Sequence, residues 1–167
     1  MNILSLKVYT LRGKEIERRN MKRIILVTHG DFAKGILTSV KLVMGETDYI
    51  DFVSISAKET IPEITGMIEA KMRYDSEEAI TIIISDIAGG STTRAAMELL
   101  SPGENIYLVT GLNLGLLLEI AMLPMSGEKS SDRQLLKSAI ENSRNTIALV
   151  NDLLDESRCE TDDLEEL

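Results

Sequence analysis

Four short, apolar, β-branched runs, each followed by a stretch of helical periodicity, constrain this chain more than any other feature. The runs are Ile24–Val27, Ile50–Ile55, Ala79–Ser85 and Asn105–Thr110. The first and third are nearly continuous Ile, Leu and Val, the mark of strands buried on both faces. After the first run, Phe32–Met44 places Ile36, Leu37, Val40, Val43 and Met44 at helical spacing, with Gly45 at the expected C-cap. Thr60 with Glu63 forms a capping box, and Pro62 in the first turn opens a helix to about Tyr74. Ser91–Leu100 is helical and stopped by Ser101-Pro102-Gly103, while Leu114–Leu123 is helical and ended by Pro124. Leu136, Ile140, Ile147, Val150 and Leu154 predict one long amphipathic helix over about Asp132–Asp155. Repeated strand–helix alternation requires right-handed crossovers. The expected fold class is therefore α/β: a doubly wound, mostly parallel sheet of four or five strands flanked by helices.

At 167 residues and 44% hydrophobic, the chain fits one domain with a sizeable core. Its net charge of −9 and its six aromatics, none of them Trp, argue against a nucleic-acid binder. The charge is uneven: residues 1–20 carry about +3, residues 152–167 about −7, and the body between them about −5. Residues 1–20 are expected to be an extension outside the fold, with Met21 as a candidate start. Residues 21–155 form the domain, and 156–167 a solvated acidic tail. The longest uncharged run, Asn105–Leu118, is 14 residues and too short to span a bilayer. Lys7 and Arg12 interrupt any signal-peptide core, so a cytoplasmic location is expected. One Cys excludes an intrachain disulfide and a Cys-rich zinc site. One histidine, His29, excludes every mechanism that needs two.

In a doubly wound sheet, chemistry sits at the carboxyl ends of the strands, where strand order reverses. The first such loop is Thr28-His29-Gly30-Asp31, which places His29 where the chain leaves the sheet. Its bland reading is a capping or hydrogen-bonding histidine. The next informative loop, Ser85-Asp86-Ile87-Ala88-Gly89-Gly90-Ser91, follows the third run. If strands one and three are neighbours, Asp86 reaches one imidazole nitrogen of His29 and leaves the other free. Gly89-Gly90-Ser91 reads either as a backbone nest for a phosphate-like anion or as a plain turn with Ser91 as N-cap. Asn113, after the fourth run, either lines the site or caps the next helix, capping being favoured. Arg94 either draws in a phosphate or is a solvated surface residue. The aliphatic stripe Leu114–Met122 is apolar nearly all round, which suggests a subunit interface beyond one core face. No GxxxxGK[ST] loop for ATP is present.

The ordered set Thr28-His29-Gly30, Phe32-Ala33-Lys34-Gly35, Ser39, Gly45, Asp86-x-x-Gly89-Gly90-Ser91 and Gly111-Leu112-Asn113-Leu114 resembles the mannose-type enzyme IIA domain of the bacterial sugar phosphotransferase system. The resemblance runs from about Lys22 to Val150. It implies that His29 takes phosphate from the carrier phospho-HPr and passes it to a IIB domain. Asp86 would orient His29, and Thr28, Gly89, Gly90 and Ser91 would steady the phosphate. It implies no cofactor and no metal. Membrane IIC and IID components would be indirect partners, beside a peripherally associated cytoplasmic homodimer. Such dimers often exchange a C-terminal strand, and no strand is legible in Cys159–Leu167. Where the family commonly has an aromatic residue, a Pro and a second Pro, this chain has Ala88, Thr92 and Gly115. Two other readings stay open: the phosphoryl subunit of dihydroxyacetone kinase, which usually carries a Met-Gly-Ser type loop, and a non-catalytic anion-binding regulatory module.

Overall fold

The computed structural model describes residues 22–72 and 79–153. Its strands are β1 (Lys22–His29), β2 (Ile50–Ile55), β3 (Ile80–Ser85) and β4 (Ile106–Thr110). Its helices are α1 (Phe32–Met44), α2 (Ile61–Glu69), α3 (Ser91–Met97), α4 (Leu114–Met122) and α5 (Lys129–Asn145). The four strands form one sheet in the order β2-β1-β3-β4, every pair parallel. The expected α/β fold is thus present, with four strands rather than five among the described residues.

The alternation of side chains along each strand divides the core into two layers. Ile24, Leu26, Ile82 and Ile84 face one way, against Ile36, Leu37 and Val40 of α1, Leu116, Leu117 and Ile120 of α4, and Leu136 and Ala139 of α5. Ile25, Val27, Val53, Ile55 and Ile83 face the other way, against Ile64 and Ile68 of α2 and Ala95 and Ala96 of α3. Every residue of β3 is buried, as its near-continuous aliphatic run requires.

Three helix ends differ from the sequence expectation. The helix expected from Ser91 to Leu100 is regular only to Met97. Its last turn tightens into i→i−3 bonds, from Glu98, Leu99 and Leu100 N–H to Ala95, Ala96 and Met97 carbonyls. The helix entered at Thr60 ends at Glu69, tightening through Met72, and Tyr74 lies outside the described residues. The largest correction concerns the C-terminal helix, expected to run unbroken over Asp132–Asp155. It begins at Lys129 and stops at Asn145. There the Thr146 hydroxyl turns back to donate to the Ser143 carbonyl at 2.7 Å, competing with the helical ladder. Past Ser143 the helix has run off the core, so Ile147 is 76% exposed and Val150 is exposed as well. A new turn of helix begins at Val150, and Leu154 onward lies outside the described residues, as do residues 1–21 and Cys159–Leu167. The apolar surplus of α4 is also smaller than its sequence suggests. Leu116, Leu117, Ile120 and Ala121 are buried, which leaves Leu114 and Met122 as its exposed apolar side chains.

Lys22 anchors the end of the sheet opposite the candidate loops. Its ammonium is buried and donates to the carbonyls of Ile120, Ala121 and Leu123 at 3.1, 2.8 and 2.9 Å. A cation there satisfies the orphan carbonyls and the negative dipole end of α4. It also lies over the Tyr49 ring, 5.8 Å from the centroid. Replacing Lys22→Met keeps the aliphatic stem and removes the donors. Urea denaturation is expected to show a loss of about 1.5–3 kcal/mol, the range for hydrogen bonds to a charged group.

Candidate active site

β1 and β3 lie side by side, and both end at the same edge of the sheet. Val27 pairs with Ser85, so the next residues out, Thr28-His29 and Asp86, leave the sheet together. Asp86 Oδ2 accepts two hydrogen bonds from His29, one from its backbone N–H and one from ring Nδ1, each 2.9 Å. Oδ1 accepts from the Ile87 N–H at 2.9 Å and from the Thr92 hydroxyl at 3.0 Å. A carboxylate has roughly four acceptor sites, and all four are filled. Burial pushes the Asp86 carboxyl up. The hydrogen bonds from the His29 backbone, the His29 ring and Thr92, together with attraction to the imidazole, outweigh it and hold the group below the ordinary carboxyl value. An ionised carboxylate only accepts, so neutral His29 carries its proton on Nδ1 and keeps the lone pair on Nε2. The imidazole is 44% exposed while the Asp86 side chain is 9% exposed. A partly exposed ring therefore stands on a buried orienting group.

Three consecutive hydroxyls open α3, and the helical turn sends each to a different task. Ser91 Oγ lies 3.4 Å from His29 Nε2. Thr92 holds Asp86. Thr93 donates to the Ile87 carbonyl at 2.8 Å and sits 2.7 Å from the Ser85 hydroxyl, locking the loop onto the end of β3. The turn before them depends on glycine twice. Gly89 has φ +76°, a region L side chains rarely adopt. A Cβ on Gly90 would come within 3.2 Å of the Ile87 carbonyl oxygen and 3.7 Å of His29 Cε1. The crowded contact is the one with the loop's own Ile87 carbonyl, while the imidazole lies at ordinary van der Waals distance.

The structure sorts the residues singled out from sequence. His29, Asp86 and Ser91 converge, and Gly90 lies beside the ring. Gly90 rather than Ser91 is the N-cap of α3, and its own N–H already donates to the Ile87 carbonyl at 3.1 Å. Ser91 and Thr92 occupy the first turn, whose N–H groups have no intrahelical acceptor. Thr28 is fully buried, and its hydroxyl accepts from the Ala33 N–H at 2.9 Å, tying the end of β1 to the start of α1. Asn113 takes the capping role: its Oδ1 accepts from the Leu116 N–H at 2.9 Å and lies 3.3 Å from the Ser143 hydroxyl. Arg94 is exposed, its side chain in no hydrogen bond or ion pair among the described residues. Gly115, where the resemblance expects proline, lies close against Thr146, which a Cβ would approach to 3.5 Å. Among the described residues, no group of three or more His, Cys, Asp or Glu is placed to hold a metal ion. No described helix is long and apolar enough to cross a membrane.

The family model described as the PTS system fructose IIA component (EIIA-man) matches residues 23–140. The chain belongs to this family. It is 30% identical over 99 residues to the sorbose-specific EIIA component of Lacticaseibacillus casei, covering 59% of this chain and 71% of that one. The mannose-specific EIIAB component of Escherichia coli is 28% identical over 124 residues, which are 72% of this chain but 37% of that longer protein. Among solved structures, the PTS IIA protein associated with the fucose utilization operon of Streptococcus pneumoniae is similar, with TM-score 0.67 and 26% identity. That match covers 80% of this chain and 96% of the other. The phosphotransferase system component EIIA of Streptococcus agalactiae shares the fold at TM-score 0.66 and 23% identity, over 78% of this chain and 98% of its own. Membership gives the chain a phosphotransfer role in the sugar phosphotransferase system, in a family that works with a phosphocarrier and with IIB, IIC and IID components.

The hydrogen bonding of Asp86 has a measurable pH signature. A carboxyl whose folded value lies below its unfolded one stabilises the fold above the ordinary value of 3.8, and that contribution is lost as pH falls through the folded value. The stability advantage of the native chain over Asp86→Asn, read by urea denaturation, is expected to be full near about pH 7 and to shrink below about pH 4. An advantage that stays constant into the acid range contradicts an ionised, hydrogen-bonded Asp86.

Proposed function

We propose that His29 accepts a phosphoryl group from phospho-HPr on Nε2 and passes it to a IIB domain, as a protein-histidine phosphotransferase. The observation that carries this reading is the double contact of Asp86 Oδ2 with the backbone and ring of the same histidine. It supports a fixed tautomer with its lone pair directed outward, which is what a nucleophilic imidazole needs. In the transfer, the Nε2 lone pair forms the new N–P bond, and the old bond to phosphorus breaks with its electron pair staying on the donor. The proton on Nδ1 stays where it is. As Nε2 gives up its lone pair, positive charge develops on the ring, and the Asp86 carboxylate lies against it. The second transfer, to IIB, runs the same steps in reverse.

Phosphoryl transfer needs in-line positioning and charge stabilisation rather than covalent help. The Ser91 hydroxyl, 3.4 Å from Nε2, and the N–H groups at Gly89 and Ser91 are the donors proposed for the phosphoryl oxygens. The buried Thr28 hydroxyl supports the site by fixing the β1–α1 junction rather than by touching the phosphate. The site works at the surface of a chain that meets HPr and IIB in turn, beside the membrane components.

The test is incubation with phosphoenolpyruvate, its upstream enzyme and HPr, read by mass spectrometry. One acid-labile phosphate is expected on the native chain, none on His29→Ala, and passage of that phosphate to a cognate IIB domain. Asp86→Asn is expected to slow the gain by about 10-fold or more, as loss of a carboxylate that fixes an imidazole tautomer does. Equal labelling of His29→Ala refutes the assignment. Carrier binding without any labelling favours the regulatory-module reading.

A further inference from the structure

Among the groups the transfer mechanism does not use, Thr92 is the one whose surroundings assign it a task. It is fully buried, and its hydroxyl donates to Asp86 Oδ1 at 3.0 Å. We propose that Thr92 is a positioning residue for the transfer. By occupying Oδ1, its hydroxyl dedicates Oδ2 to His29 and so fixes which imidazole nitrogen keeps the proton. The inference rests on the reading of His29 as the phosphoryl acceptor.

The carboxyl torsion of an aspartate is broad and roughly two-fold, so a carboxylate is oriented by its donors rather than by its own rotamer. On the Oδ1 side there are two donors. One is the Ile87 N–H, which belongs to the adjoining peptide and moves with the Asp86 backbone. The other is Thr92, which comes from α3, six residues along the chain. Thr92 is therefore the donor on that side that refers the carboxylate to a separate element. That same first turn carries Ser91 to Nε2 at the far side of the ring. Both nitrogens of the imidazole are thus set from one turn of one helix, through Asp86 on one side and directly on the other.

The neighbouring hydroxyl separates positioning from fold maintenance. Thr93, bonded to the Ile87 carbonyl and close to Ser85, fastens the loop without help from Thr92. Thr92 is the second residue of α3, where the backbone N–H has no helical acceptor and proline is tolerated. A replacement without a hydroxyl at 92 therefore removes one bond to Asp86 and leaves the helix start intact. Full burial means that water does not take the place of the missing hydroxyl.

Because His29 is the one histidine of the chain, selective ¹⁵N labelling of histidine gives a spectrum with a single pair of ring nitrogens. In the native protein at a pH where the ring is neutral, the two signals are expected to lie far apart, one protonated and one carrying a lone pair. In Thr92→Val and Thr92→Pro they are expected to move toward each other, as the second tautomer becomes populated. Thr92→Ser, which keeps the hydroxyl, is expected to restore the native separation. The rate of phosphoryl gain from phospho-HPr is expected to fall roughly threefold to tenfold in the first two variants, the worth of one hydrogen bond, and to recover in the third. The HPr concentration for half-maximal rate is expected to stay unchanged. Native separation in a folded Thr92→Val or Thr92→Pro overturns the proposal, as does a Thr92→Ser that behaves like Thr92→Val. Failure of both hydroxyl-free variants to fold makes the role structural and also overturns it. If His29 is not the phosphoryl acceptor, no form is labelled there, yet the nitrogen spectra still decide what Thr92 does.

Discussion

The site depends on how the Asp86 carboxylate divides its two oxygens. One is committed to His29 twice over, through the main chain that ends β1 and through the ring. The other is held by the next peptide and by the first turn of α3. A hydrogen bond to a backbone N–H and one to a ring nitrogen of the same residue leave the ring little freedom to rotate away. The carboxylate is therefore at once the joint between β1 and β3 at their exit and the part that sets the chemical state of the histidine. Removing it loosens the joint and releases the tautomer together, so the two effects cannot be separated at that residue.

The remaining structure serves to place this joint at the surface. Parallel strands covered on both faces leave polar backbone and reactive side chains only at the strand ends. The two aliphatic layers cover the body of the sheet, and the alternation along β1 sends Thr28 into one layer and His29 toward the side of α2 and α3. α3 covers that side with small residues, Ala95 and Ala96, so it lies close to the sheet. Its first turn brings the Ser91 hydroxyl to 3.4 Å from the imidazole Nε2.

The order of strands and helices was legible because β-branched runs and 3.6-residue periodicity leave little room for another reading. The His29–Asp86 pair was legible too, since strand neighbourhood converts two distant residues into adjacent ones. Less legible were the residues whose hydroxyls choose among competing acceptors. Thr28 stands beside the histidine in sequence, yet strand alternation turns it inward, where it meets the Ala33 N–H. Thr92 stood out in sequence only as a residue where proline was expected. Its partner depends on the rotation of α3 about its axis, which no local pattern encodes; the Ser91-Thr92-Thr93 run at a helix start was the signal available. The break after Asn145 was hidden for a similar reason. Ile147 and Val150 continue the apolar spacing, but the spacing does not say where α4, on which the helix packs, stops.

The strand order also sets when the site comes into being during folding. β1 and β3 are brought together across an intervening strand and two helices, so their pairing is a non-local contact, formed at a high cost in chain entropy. Side chains on a strand alternate with a period of two, and a slip of one residue between β1 and β3 would exchange which aliphatic side chains meet each helical layer. It would also place Ser85 or Ile87 where Asp86 belongs. The packing that selects the β1–β3 register is thus also what brings Asp86 to His29. The His29–Asp86 pair forms only once the central register is right, and a kinetically trapped, misaligned form would lack it.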